Sequence, residues 1–331
     1  MKKFLKWDKF AIFLAIFLYL LLYWIRYIQG GWEIQIEILN EFRAYLDQVV
    51  SNYLPSPQAE LLSGILLGNN KDLLGTLRLA LRDTSTLHIV VASGQNLSLL
   101  TAFSLSLSGL IKRKLAIVIS LLLVVFYILL TGAQVPILRA AIMFFMATLA
   151  QILGREKDGI WALIITVGFM LLVNPNWISD LSFQLSFLAT FGVIVVAPLL
   201  LKYLDRLPVI GQDLSVTLAA QLMVMPVIGL NFHQFSNVGA ITNVLILWVI
   251  PPLMILGIIF LISSFISVPL TVLLALILNA LLTYFIYIVQ FFASVPFAWE
   301  YVGEFHWIVW VGYYILITGI LVLLKDAKVQ D

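Results

Sequence analysis

The chain of 331 residues contains no cysteine. Disulfides and thiolate metal sites are excluded with it. Charge is also scarce. Asp, Glu, Lys and Arg make up 11% of the residues, against roughly 25% in a soluble globular domain. The net charge of +2 is too small to mark a nucleic-acid partner by itself. The three histidines, His88, His233 and His306, lie far apart. No H-x-H or HExxH arrangement exists, so no zinc-hydrolase signature is present. There is no GxxxxGK[ST] run for a nucleotide-driven motor and no GxSxG elbow. The sequence therefore assigns no catalytic, metal-ligating or cofactor-binding residue, and the chain is read as a non-enzyme.

What it has in abundance is apolar surface: 62% of the residues are hydrophobic and the mean hydropathy is +1.07. The apolar runs are long and continuous, not alternating, which specifies membrane helices over a barrel. Windows at 10–28, 88–111, 115–131, 135–153, 159–174, 181–203, 215–230, 238–264, 268–295 and 306–324 meet or approach the length of a span. The expected fold is all-α: a polytopic integral membrane protein of about ten transmembrane helices with broken or re-entrant segments. The first window follows Lys2, Lys3, Lys6 and Lys9 but is too long for a signal peptide and is followed by no A-x-A site. It reads as an uncleaved anchor over 1–29. Alternating ten spans from a cytoplasmic N-terminus places 13 of the 19 basic residues inside, the positive-inside pattern. Both termini are then cytoplasmic.

Residues 30–87 form a short extracytoplasmic segment, amphipathic and helical. Glu33, Glu37 and Glu41 repeat at the spacing of one helix face. Pro55 and Pro57 break the chain, and a short helix follows in QAELLSGILLGNN. A helical hairpin lying on the outer leaflet is the expectation.

Polar residues inside the spans are costly in lipid. In HIVVASGQNLSLL, the group Ser93, Gly94, Gln95 and Asn96 interrupts an apolar run. Gly94 weakens a helix there, and the amides can satisfy freed backbone groups. Ser93, Asn96, Thr101, Ser104 and Ser108 fall on one side, giving a wet or partner-facing stripe. Arg139, four residues into its span, either snorkels, pairs with a carboxylate, or faces an aqueous path where a guanidinium can bind phosphate. Asp180 and Gln184 share a face as a helix cap or a pore element. Ser182, Ser186 and Thr190 read as packing residues. Gln221 is a buried amide, and FHQFSNVGAITN, with His233, Gln234, Asn237 and Asn243, is a polar cluster at a span boundary. Pro251-Pro252 marks a second break within a span.

These stretches carry a resemblance. TLHIVVASGQNLSLL, TGAQVPILRAAIMFFMATLAQILGR, NPNWISDLSFQLSFLATFGVIVVAPLL and LAAQLMVMPVIGLNFHQFSNVGAITNVLILWVIPP follow one another as in the ComEC-type competence proteins, bacterial DNA-uptake channels. With AELLSGILLGNN the likeness covers roughly residues 58–264, and ASVPFAW extends it more weakly towards the C-terminus. The resemblance implies that 88–331 is a competence-type channel domain passing single-stranded DNA across the bacterial cytoplasmic membrane during natural transformation. It assigns Ser93, Gly94, Gln95, Asn96, Arg139, Asp180, Phe183, Gln184 and Gln234 to the candidate conduit. The polarity of the spans independently singles out all of these except Phe183. The implied partners are single-stranded DNA, membrane lipids, a surface DNA receptor and a cytoplasmic DNA-translocating ATPase. The sequence departs from the family pattern in carrying Asn96 where a histidine is usual. It also lacks the oligonucleotide-binding-like and metallo-β-lactamase-like domains of many relatives, so the expectation is a channel core alone. The rival reading is a secondary transporter of a small anion or lipid precursor, against which the missing inverted repeat counts.

Overall fold

The structure, a computed structural model, describes residues 9–32, 37–69, 73, 75–90, 93–106, 109, 112–154, 158–204, 210–304 and 306–326. Glu33, Lys71, Ser108, Arg155, Lys157, Arg206 and Lys328, as well as the first lysines of the leader, lie outside them. Among the described residues, 82% are helical, as expected for an all-α chain. The helices are α1 (Lys9–Gln29), α2 (Asn40–Tyr53), α3 (Gln58–Leu67), α4 (Gly75–Asp83), α5 (Leu87–Val90), α6 (Gly94–Ser106), α7 (Arg113–Thr131) and α8 (Val135–Ile152). Then come α9 (Gly159–Val173), α10 (Leu181–Phe191), α11 (Ala197–Leu204), α12 (Gly211–Phe232), α13 (Gly239–Leu247), α14 (Ile250–Ser263), α15 (Val268–Ala293) and α16 (Trp307–Asp326). A π-helical turn at Gly192–Val196 joins α10 to α11 as one span. Two short strands, β1 (Gln234–Ser236) and β2 (Trp299–Tyr301), pair antiparallel.

Among the described residues, five helices are long and apolar enough to cross a membrane, or six when α13 and α14 are counted as one span. That is short of the ten windows. The largest departure lies at 233–263. After α12 the chain turns back at His233, whose φ of 53° is left-handed, and runs as β1. It then starts α13 at Gly239, next to the Gln221 side chain, which belongs to the middle of α12. The α13–α14 pair is bent by 45° at a break within one span's length, so this stretch is not one straight crossing.

Turn placement agrees. Arg43 of α2 stands at Gly132, in the α7–α8 turn, while Tyr45 packs its ring on Phe265, in the α14–α15 turn. Strict alternation would put these two turns at opposite ends; one short helix touches both.

The bend itself has a local cause. It falls at Trp248-Val249, just ahead of the proline pair rather than within it, because Pro251 and Pro252 sit in the first turn of α14, where missing N–H groups cost nothing. At the break the Val249 N–H bonds Ile246 O instead of Leu245 O. The freed Leu245 carbonyl accepts from the Tyr284 hydroxyl at 3.1 Å.

The segment after α1 also differs from expectation. Glu37 precedes the helix, so only Glu41 of the acidic repeat lies on α2. The α2–α3 hairpin exists, and Pro55 and Pro57 do separate its arms. Gly68, with a left-handed φ of 70°, closes α3. The hairpin does not lie on a leaflet, however: every residue of α3 from Leu61 to Leu67 is buried. It is the centre of the main hydrophobic core, packed with residues of α2, α4, α5, α14 and α15. Lipid offers apolar helices no hydrophobic gain on association, so this burial reflects close side-chain packing.

Candidate functional site

Four of the nine candidate residues, Ser93, Gly94, Asn96 and Arg139, meet at the start of α6. α6 starts at Gly94, after the interruption that the sequence marked. Ser93 caps it: its Oγ accepts from the Asn96 N–H at 3.4 Å and donates to Asn96 Oδ1 at 3.2 Å. The other end of that amide, Nδ2, donates to Ile65 O of α3 at 3.0 Å. Asn96 is thus a buried tie between α6 and the main core, with Tyr127 of α7 beside it. Gly94 is where α6 touches α8. A Cβ there would lie 2.6 Å from Arg139 Nη2 and 3.1 Å from the Ala140 Cβ. Any side chain would displace the guanidinium.

Arg139 crosses from α8 to α10, where Nη1 donates to the Ser186 carbonyl. The same carbonyl accepts from the Thr190 hydroxyl at 2.9 Å. Nε is buried without a partner among the described residues. Among the described residues no carboxylate pairs with Arg139, and the one ion pair there joins Arg82 to Asp83. Of the three readings left open by the sequence, carboxylate pairing does not hold and the guanidinium points between helices. It stays a cation held by a neutral carbonyl, with unused donor capacity.

The other candidates are placed differently. Asp180 caps α10, its carboxylate accepting from the Phe183 N–H at 2.8 Å. Gln184 folds back to donate to Ile178 O at 2.9 Å. Both hold the start of α10, as a helix cap does. Phe183 is buried against Phe187, with ring centroids 4.4 Å apart, in a cluster with Leu163 and Met170. Gln95 faces away from the buried Asn96 and is exposed. Gln234 lies in β1, opposite Tyr301. The stripe on α6 is partner-facing: Ser104 and Ser120 of α7 are fully buried and share a hydroxyl bond of 2.8 Å.

A second polar convergence was only partly legible. Around Gly239, a Cβ would meet Gln221 Nε2 at 2.9 Å, Ser85 Cβ at 2.9 Å and Ser236 Oγ at 3.2 Å. Four chain segments meet there because one residue has no side chain. Ser236 Oγ is buried without a partner, as are His233 Nδ1 and Asn243 Oδ1 nearby in sequence. Ser85 O faces His88 Nδ1 at 3.0 Å. Gln221 and Asn243 stood out as buried amides in the sequence. Ser85 and Gly239 gave no signal, since their roles come from contacts across more than a hundred residues.

A bundle of long apolar helices, one pair of them bent, with buried polar junctions defines an integral membrane protein of the polytopic class. More specifically, the family model for Competence protein matches residues 65–327, and the chain belongs to that family. It is similar to ComE operon protein 3 of Bacillus subtilis (strain 168), with 27% identity over 205 residues. The aligned part is 61% of this chain and 26% of that protein, so the chain spans about a quarter of the relative it matches. No solved structure matches.

Proposed function

We propose that this protein is a conduit for single-stranded DNA across the bacterial cytoplasmic membrane in DNA uptake. The observation that carries the reading is the junction of Gly94, Arg139 and Ser186, formed by the very segments that resemble the competence proteins. A polyanion with stackable bases needs weak, repeated contacts. One cation without a counter-carboxylate, set among hydroxyls and amides, supplies attraction without a trap. The chain does no bond chemistry in this reading, and the driving force comes from outside, from a cytoplasmic translocating ATPase or the membrane potential. A surface receptor delivers the strand.

For the topology we propose an even number of crossings, with α13–α14 as one bent limb that runs back along α15, since Asn237 ahead of α13 meets Ala298 beyond α15. Both termini are cytoplasmic. Parallel contacts of α1 with α9, through Tyr19 with Gly168 and Arg26 with Leu172, support this. So does the antiparallel approach of α16 to α12, through Trp310 with Gly229 and Tyr314 with Met223.

The test is a clean deletion. DNA should still be captured at the cell surface but not reach the cytoplasm, and the intact gene should restore uptake. Normal transformation by the deletion strain would exclude the conduit. The second reading, transport of a small anion, rests on the same arginine and the same broken helices. Saturable small-anion flux in liposomes, with no oligonucleotide binding, would select it.

A further inference from the structure

We infer that α2 carries a nucleobase-binding subsite at the mouth of the conduit. The inference rests on the conduit reading and adds a site that lies outside every residue the sequence selected. Tyr45, Gln48, Asn52 and Tyr53 recur along one stripe of α2, at the spacing of a single helix face. With Val49 and Ser264 they line a cavity of about 280 Å³, room for one small planar group.

The lining is specific in three ways. Both tyrosines are braced from behind by phenylalanines. Tyr45 tilts against Phe265 at 5.7 Å between centroids, and Tyr53 meets Phe260 edge-on at 5.9 Å. A braced ring loses little freedom when a second ring stacks on it. The Gln48 and Asn52 amides are exposed and make no hydrogen bond among the described residues. Each offers a donor and an acceptor, the pattern that base edges require. Finally, no charged side chain lines the cavity. Phosphate recognition is thereby disfavoured inside it, and free amides are poor company for an acyl chain.

The cation sits just outside. Arg43, two residues before Tyr45, reaches Gly132 in the α7–α8 turn and forms no ion pair among the described residues. A strand whose base occupies the cavity has its backbone within reach of that guanidinium. The position also suits a mouth. Gln134, beyond the same turn, donates to Gly68 O at 3.1 Å. Arg139 follows only five residues further along α8, roughly 7 Å deeper at 1.5 Å per residue.

The experiment uses the full chain in lipid nanodiscs and an oligothymidylate carrying 5-iodouracil. Photocrosslinks should map to Tyr45 or Tyr53, and an excess of plain oligothymidylate should remove them. An abasic sugar–phosphate oligomer of equal length should not. Tyr45→Ala and Tyr53→Ala should each weaken oligonucleotide binding by about 5- to 100-fold, the range of one stacked base. The corresponding Phe variants should bind as the parent does, which also shows that the pocket folds. Arg43→Gln should lower the salt dependence of binding without moving the crosslink. Crosslinks elsewhere with unchanged binding by the Ala variants would overturn the subsite and leave the conduit standing. Labelling of both tyrosines by a photoactivatable phospholipid, undisturbed by oligonucleotide, would make the cavity a lipid site. Absence of any oligonucleotide binding by the parent protein would overturn the conduit reading itself.

Discussion

The molecule has two regions that solve the same packing problem differently. One is built from α2–α5, α14 and α15. It holds a continuous core in which Leu61, Leu62, Phe260, Leu278 and Phe285 are entirely shielded. The other, built from α6 to α12, has three small separate clusters around Tyr127, Phe183 and Val196. Its helices leave large residues such as Leu122, Phe145, Ile164 and Phe169 half exposed. In water the second arrangement would fail. In lipid an exposed apolar face costs nothing, so helices there need bury only what specificity requires. The first region thus behaves as a rigid block, and the second leaves gaps at which polar groups meet. Arg139 lies where two of the small clusters adjoin, with Ile137 and Ala141 on one side and Leu138 and Ile142 on the other.

The contrast can be broken most decisively by topology. The natural absence of cysteine makes single-cysteine labelling clean. Gln134→Cys and Ile266→Cys, one turn from each region, should react with an impermeant maleimide from the same side of intact cells. Reaction from opposite sides would restore ten alternating spans. Next in size is core truncation. Phe260→Ala should cost about 3–5 kcal/mol in steric-trap unfolding, as for a filled interior. Phe187→Ala, buried but in a much smaller cluster, should cost clearly less. Equal losses would mean that the two regions are packed alike.

The polar junction should show the opposite balance. Arg139→Met removes a charge-assisted bond worth about 1.5–3 kcal/mol. It should lower DNA uptake by about 10- to 100-fold at unchanged abundance in the membrane. Retained uptake would reduce Arg139 to a packing residue. The smallest effect is expected within the α6–α7 pair. A double-mutant cycle on Ser104→Ala and Ser120→Ala should give a coupling near 0.6 kcal/mol, the usual worth of a hydroxyl bond between membrane helices, without altering uptake. A large loss of uptake would turn that dry contact into part of the path.

The positions that sequence reasoning reached are those with local causes. Gly94 in an apolar run, the proline pair and Asp180 ahead of α10 each act within one turn of chain. Asp180 illustrates the limit, since a cap and a pore carboxylate look alike until the Phe183 N–H is seen to fill it. The burial of α3 was hidden because amphipathic and inserted hairpins share a composition. The break between α13 and α14 was legible from the proline pair, but its 45° bend and its path were not, because the stretch as a whole satisfies the length of a span.

Composition alone therefore determined the solvent of this protein, the helical class and the points at which helices start and stop, because those depend on hydropathy and on backbone chemistry within a few residues. The tertiary structure decided depth and partnership: that Gln221 meets Gly239 and Ser85, that Arg139 lies under Gly94, and that two distant turns share one end. Contacts across long separations are set by how whole helices pack, and no short window of sequence contains that packing.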